Sequence, residues 1–165
     1  MFRIGLISDT HDLVRPEALA FLAGSDAIVH AGDICGPQVL EALSALAPVT
    51  AVRGNNDRGA WAASLRETEL VELGGQFVYV IHDLGALDID PAAAGVRIVV
   101  SGHSHRPSVQ ERDGVLYVNP GSAGPRRFSL PISAAELRVN GDSVHARIAE
   151  LSSSADTATA RRPAR

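Results

Sequence analysis

The sequence predicts an α/β protein with two β-sheets packed face to face and helices on the outside. Three observations lead there. The opening third reads β-α-β-α-β, the pattern of a largely parallel sheet with helices packed on it. The remainder is strand-rich and is interrupted by Gly74-Gly75, Asp113-Gly114 and Asn140-Gly141, dipeptides that favour two-residue hairpin turns. Side chains able to bind metal ions also recur at the ends of predicted strands, 21 to 27 residues apart. A strand, a helix and two loops occupy about 20–30 residues, so such a rhythm returns the chain repeatedly to one sheet edge.

The elements follow in order. Residues 2–8 form an apolar run of strand length, ended by Asp9-Thr10-His11-Asp12. Pro16 opens a helix through Phe21 and Leu22 that Gly24 stops. Residues 26–30 make the second strand, followed by the turn Ala31-Gly32-Asp33. Gly36-Pro37 opens a second helix with Val39, Leu40, Leu43 and Leu46 on one face. Residues 49–53 make a third strand, closed by Gly54-Asn55-Asn56-Asp57. Residues 69–73 and 76–81 flank the first hairpin turn, and residues 97–100 lead into Ser101-Gly102-His103-Ser104-His105. Residues 108–111 and 115–118 flank the second turn, and 132–139 and 143–148 the third. A parallel half followed by a meandering half is therefore expected, as one domain over residues 1–151. Residues 152–165 are small and polar and read as a mobile tail.

Composition bounds the function. At 165 residues the chain can bury about two-thirds of its unfolded surface without staples. Apolar residues make up 45% but aromatics only 4%, so Ala, Val, Leu and Ile must build the core. A net charge of −4 gives no general attraction to nucleic acid or anionic membranes. The single Cys35 excludes an internal disulfide. The first residues run straight into a strand and no segment approaches the ~20 apolar residues of a membrane helix. A soluble, cytoplasmic protein is expected.

The chemistry lies at the strand ends. Asp9 and His11 are two apart, so an extended segment points both the same way, a carboxylate and an imidazole offered together. Asp33 is a short carboxylate whose two oxygens can bridge two ions. Asn55 offers a neutral carbonyl from a tight turn. His82 closes another strand, and His103 with His105 repeats the two-residue spacing. Each residue alone has an ordinary explanation as a turn or surface position; together, at matching strand ends, they read as one polynuclear metal site. His30, on a strand three residues before Asp33, is read as orienting a ligand. His145 is read as an outward strand position.

The series Asp9-x-His11, Gly32-Asp33, Gly54-Asn55, His82 and Gly102-His103-Ser104-His105 resembles the calcineurin-like metallophosphoesterase superfamily. The short form, with its Asn119-Pro120-Gly121-Ser122 loop, is similar to the small bacterial and archaeal phosphodiesterase branch and to the retromer subunit of that fold. The resemblance covers residues 2–150 and implies a four-layer α/β/β/α sandwich of two facing mixed sheets, with the metal site at the C-terminal strand rim. It implies one metal on Asp9, His11, Asp33 and His105, and a second on Asp33, Asn55, His82 and His103. Asp33 would then bridge them, supported by a shared water or hydroxide that attacks phosphorus, with Asp33, Asn55 and His103 at the reacting centre. Mixed nitrogen and oxygen ligands favour transition metals over calcium or magnesium. Manganese is expected first, with nickel, iron, cobalt or zinc as alternatives.

Two departures from the family pattern carry consequences. Many relatives place a histidine after the motif asparagine to protonate the leaving group; this chain has Asn56, so leaving groups that need a proton should react poorly. Asp83 follows His82 where glycine is usual, and is expected to orient His82 or crowd the rim. Arg126 and Arg127 follow the Asn119 loop, from where they can reach a substrate phosphate. The implied activity is metal-dependent hydrolysis of phosphate esters, foremost small phosphodiesters. A non-catalytic scaffold of the same fold is the alternative. Long nucleic acids are disfavoured by the absence of a basic track with aromatic side chains, and a homo-oligomer is compatible with the sequence.

Overall fold

The computed structural model describes residues 1–151, so the tail expected over residues 152–165 lies outside the described region. In chain order the elements are β1 (Phe2–Ile7), α1 (Pro16–Leu22), β2 (Ala27–His30), α2 (Pro37–Ser44), β3 (Val49–Ala51), β4 (Thr68–Leu73), β5 (Gln76–Ile81), β6 (Ile98–Val100), β7 (Ser108–Arg112), β8 (Val115–Asn119), β9 (Ser133–Asn140) and β10 (Ser143–Glu150). Pro16 and Pro37 each stand at the start of a helix, where the missing N–H costs nothing.

Two five-stranded mixed sheets result, ordered β10-β9-β1-β2-β3 and β4-β5-β6-β8-β7. In the first, β1, β2 and β3 are parallel and β9 pairs antiparallel with β1. In the second, β5, β6 and β8 are parallel, with β4 and β7 as antiparallel edges. The expected meander is thus corrected. The predicted hairpins exist, but two of them flank a parallel centre and the third, β9-β10, closes the first sheet. The reason is burial on both faces: β5 ends in four buried residues and β6 is wholly buried, as parallel strands under two covering layers are. The third turn also shifts by one residue. Asn140 pairs with Ser143, leaving Gly141-Asp142 as the loop, and Gly141 at φ +61° suits the first central position of a type II′ turn.

Period-two alternation builds the layers. Ile4, Leu6, Val78, Val80, Ile98 and Val100 point between the sheets with Leu116, Val118, Leu137 and Val139. Ile7 and Ile28 face outward against Leu22, Val39 and Leu43 of the helices. Each such fully buried side chain contributes roughly 1.5–3 kcal/mol. On the outside of the second sheet, Tyr79, Ile81 and Val99 are covered by Leu84, Leu87 and Ile89. The fourth layer is therefore a 3₁₀ turn, Leu84–Ala86, with flanking loop. Among the described residues no helix is long and apolar enough to cross a membrane.

Candidate metal centre

The parallel centres of both sheets deliver their C-terminal loops to one place. Asp9 and His11 follow β1, Asp33 follows β2, Asn55 follows β3, His82 follows β5, and His103 and His105 follow β6. The rim is thus shared by two facing sheets instead of belonging to one sheet edge. All seven candidate ligands converge there.

On one side, Asp9 Oδ1 lies 3.3 Å from His105 Nε2 and 4.0 Å from His11 Nε2. The two imidazole nitrogens are 3.3 Å apart. Asp9 Oδ1 is buried and has no hydrogen-bond partner. On the other side, Asn55 Oδ1 lies 3.0 Å from His82 Nε2 and 3.2 Å from His103 Nδ1. Asp33 Oδ2 stands between the two sides, 3.8 Å from His11 Nε2 and 3.5 Å from His82 Nε2. His82 Nδ1 donates to the Ala31 carbonyl at 2.7 Å, so Nε2 faces the oxygens of Asn55 and Asp33, with a lone pair when the ring is neutral and as a donor when it is protonated. Lone pairs meeting lone pairs around a buried carboxylate call for a cation between them. The groups Asp9, His11, His105 and Asp9, Asp33, His82 are each close enough to share one ion, and nitrogen–oxygen sets of this kind suit divalent transition metals.

The electrostatics agree. Burial pushes the Asp9 carboxyl above its ordinary range, against the hydrogen bond from Ser8 and the positive pull of His82 and His105. Burial also opposes ionisation of Asp33, but the protonated His82 ring and hydrogen bonds from the backbone and side chain of Asn56 hold it well below the usual carboxylate range. Burial lowers His82, yet Asp33, the Ala31 carbonyl and Asp9 outweigh it and raise the imidazole above its ordinary value.

Backbone strain is concentrated on the ligands. Asp9, His11, Asp33, His103 and His105 all have φ between +44° and +68°. Five of seven candidate ligands thus sit in the left-handed region, which costs a non-glycine residue roughly 1–2 kcal/mol and clusters at functional sites. Close backbone approach is enforced by glycine: a Cβ on Gly102 would lie 2.6 Å from Asp9 Oδ2, and one on Gly54 would collide with the backbone and Oδ1 of Asp33.

The remaining predicted residues fall into place around this set. His30 is fully buried, accepts from Gly32 N–H through Nδ1 and donates through Nε2 to Thr10 Oγ1, which donates to the Ile34 carbonyl. It ties the Asp9 and Asp33 loops together without touching a candidate ligand. Asn56 donates its backbone N–H to Asp33 Oδ1 at 2.9 Å and its amide to Oδ2 at 2.8 Å. Asp83 does not orient His82; its Oδ1 accepts from Gly85 N–H and its Oδ2 lies 4.0 Å from His103 Nε2. Burial lowers the His105 imidazole against the pull of Asp9, and the charge of Arg127 lowers it further; Arg126 beside it is exposed. His145 points outward.

Three supports escaped the sequence reading. Asp57 is buried and accepts from both Cys35 N–H and Gly54 N–H at 2.8 Å, stapling the Asp33 loop to the Asn55 loop. Ser8 donates to Asp9 Oδ2 at 2.7 Å. Asn119 donates to the Gly102 carbonyl and to Ser104 Oγ, and accepts from Gly121 N–H. An Asp three residues after a turn glycine is the local signal that could have flagged Asp57.

Fold and site together define an α/β sandwich whose candidate metal ligands sit on loops at the strand ends. Residues 2–142 match the calcineurin-like phosphoesterase superfamily domain, and the chain belongs to that family. It is 36% identical over 158 residues to a probable metallophosphoesterase of Methanothermobacter thermautotrophicus, covering 88% of this chain and 90% of that one. Among solved structures it resembles a novel archaeal phosphodiesterase, with TM-score 0.75 and 22% identity over 90% of this chain and 100% of that one. It also resembles zinc-complexed Vps29 of Entamoeba histolytica, with TM-score 0.69 and 24% identity over 90% and 99% of the two chains. Those two likenesses speak for the fold. The family and its metallophosphoesterase relatives support a divalent-metal phosphoesterase activity.

Proposed function

We propose that this protein hydrolyses small phosphodiesters at a dinuclear metal centre. Asp9, His11, Asp33 and His105 would hold one ion, and Asp33, Asn55, His82 and His103 the other. The observation that carries this reading is the buried, partnerless Asp9 Oδ1 facing two imidazole nitrogens, an arrangement that is costly unless a cation completes it. Divalent cations, manganese foremost, supply Lewis acidity toward the phosphoryl oxygens and acidify water when bound there.

The chain's own residues prepare the site for that chemistry. Asn56 fixes both oxygens of Asp33 so that its remaining lone pairs face the two sides. The Ala31 carbonyl fixes the His82 tautomer. Asn56, held against Asp33, brings no proton to a leaving group, which favours diesters of acidic alcohols.

The test is hydrolysis of bis(p-nitrophenyl) phosphate by chelator-stripped protein with manganese restored, beside Asp33→Asn with its fold checked by circular dichroism. Manganese-dependent turnover that falls to background in the folded variant is expected. Turnover indifferent to chelator, or retained in Asp33→Asn, overturns the proposal; absence of turnover despite bound metal leaves the scaffold reading.

A further inference from the structure

A cleft of about 440 Å³ opens directly onto Asn55, His82 and His103. Tyr79 and Ile81, on the outer face of β5, and Ala86 of the 3₁₀ turn give it an apolar side. Arg53, the one arginine among its described lining residues, is paired with Glu67 at 3.2 Å. Asp83 and Asp88 also line the cleft and are exposed, and the cap on Gly85 N–H keeps the Asp83 carboxylate at the rim.

Accepting the phosphodiesterase reading, we infer that this cleft receives one ester arm of the substrate, and that the arm is an uncharged or cationic alcohol with an apolar face. The volume admits a single small group, in the range of small-molecule pockets. The apolar wall takes its hydrocarbon part. The carboxylates of Asp83 and Asp88 favour a positive head and repel an arm that bears a further phosphate.

The test compares p-nitrophenyl phosphorylcholine with bis(p-nitrophenyl) phosphate, which share a leaving group and differ in the charge of the other arm. The readout is the ratio of their kcat/KM values with manganese, in the wild type and in Asp88→Lys, a surface change that leaves the core untouched. Reversing one charge across roughly 6–8 Å of water-exposed space should lower the ratio about fivefold at low ionic strength, and added salt should shrink the effect. A ratio that stays within about twofold while both esters are cleaved overturns the inference and leaves the phosphodiesterase reading standing. If the wild type cleaves neither ester, that reading fails, and a second measurement still decides the cleft. Choline chloride, against sodium chloride, should shift the amide resonances of Thr68 and Ala86 in the metal-free protein, and the shifts should vanish in Asp88→Lys. Shifts that are absent, or that persist in the variant, overturn the inference.

Discussion

Asn56→Ala separates a positioning role from direct contact with substrate. In the wild type Asp33 accepts two hydrogen bonds from this residue, 2.9 Å from the backbone and 2.8 Å from the side chain. Alanine keeps the first and deletes the second. A hydrogen bond to an ionised carboxylate is worth about 1.5–3 kcal/mol, and Asn56 is exposed, so the lower end applies. At about 1.4 kcal/mol per factor of ten, the loss corresponds to roughly tenfold weaker manganese binding, since Asp33 must be reordered each time an ion binds. Isothermal titration of the chelator-stripped proteins measures this directly. Rates on bis(p-nitrophenyl) phosphate should recover when manganese is raised to saturate the variant. Unchanged affinity would refute the positioning role. A deep loss of kcat at saturating manganese would instead mean that Asn56 touches the reacting ester.

Three further outcomes are expected. Gly102→Ala should cost about 1–3 kcal/mol in urea unfolding through overpacking and weaken manganese binding, because its Cβ would press on Asp9 Oδ2; a metal affinity equal to wild type removes the close-approach reasoning. His30 is held by burial, with a smaller push from His82, down to about pKa 3 in the folded protein, against about 6.5 unfolded. The unfolded chain therefore takes up a proton below pH 6.5 that the native state refuses, and stability falls as pH drops from 6.5 toward 3. Between pH 7 and 5 this amounts to about 2 kcal/mol, and urea midpoints of His30→Gln should lack that decrement. Finally, without a proton donor at position 56, diesters of p-nitrophenol should be cleaved at least about 100-fold faster than alkyl diesters, the usual scale of general-acid help. Equal rates for the two would mean that another side chain protonates the leaving group.

The unequal legibility of fold and site in the sequence has physical causes. Strands and hairpins are local: the alternation of Val78 and Val80 with Tyr79 and Ile81, and a Gly-Gly or Asp-Gly pair, specify them within a few residues. The candidate ligands were legible for a related reason: two β-α repeats bring Asp33 and Asn55 back to the rim at equal spacing, and the β4-β5 hairpin and the 3₁₀ loop before β6 happen to keep a similar interval for His82 and His103. Sheet membership was not legible. Nothing local in residues 133–140 says that they pair with β1, a partner 129 to 137 residues away; that choice belongs to the burial of Leu137 and Val139 between the sheets. The turn at Gly141-Asp142 was misplaced by one for the same reason, since register follows which side chains must face the core.

The supports of the site were hidden at a deeper level. Ser8, Asp57 and Asn119 act by hydrogen-bonding loops that other residues have already brought together, so sequence spacing does not reveal their partners on other loops. Asp83 shows how far the difference reaches. Its neighbour in sequence is His82, yet the Ala31 carbonyl already occupies the His82 Nδ1–H, and the 3₁₀ turn swings the carboxylate toward His103 and the cleft beyond. A residue expected to orient His82 or crowd the rim instead lines, in three dimensions, the cleft that opens beside His82 and His103.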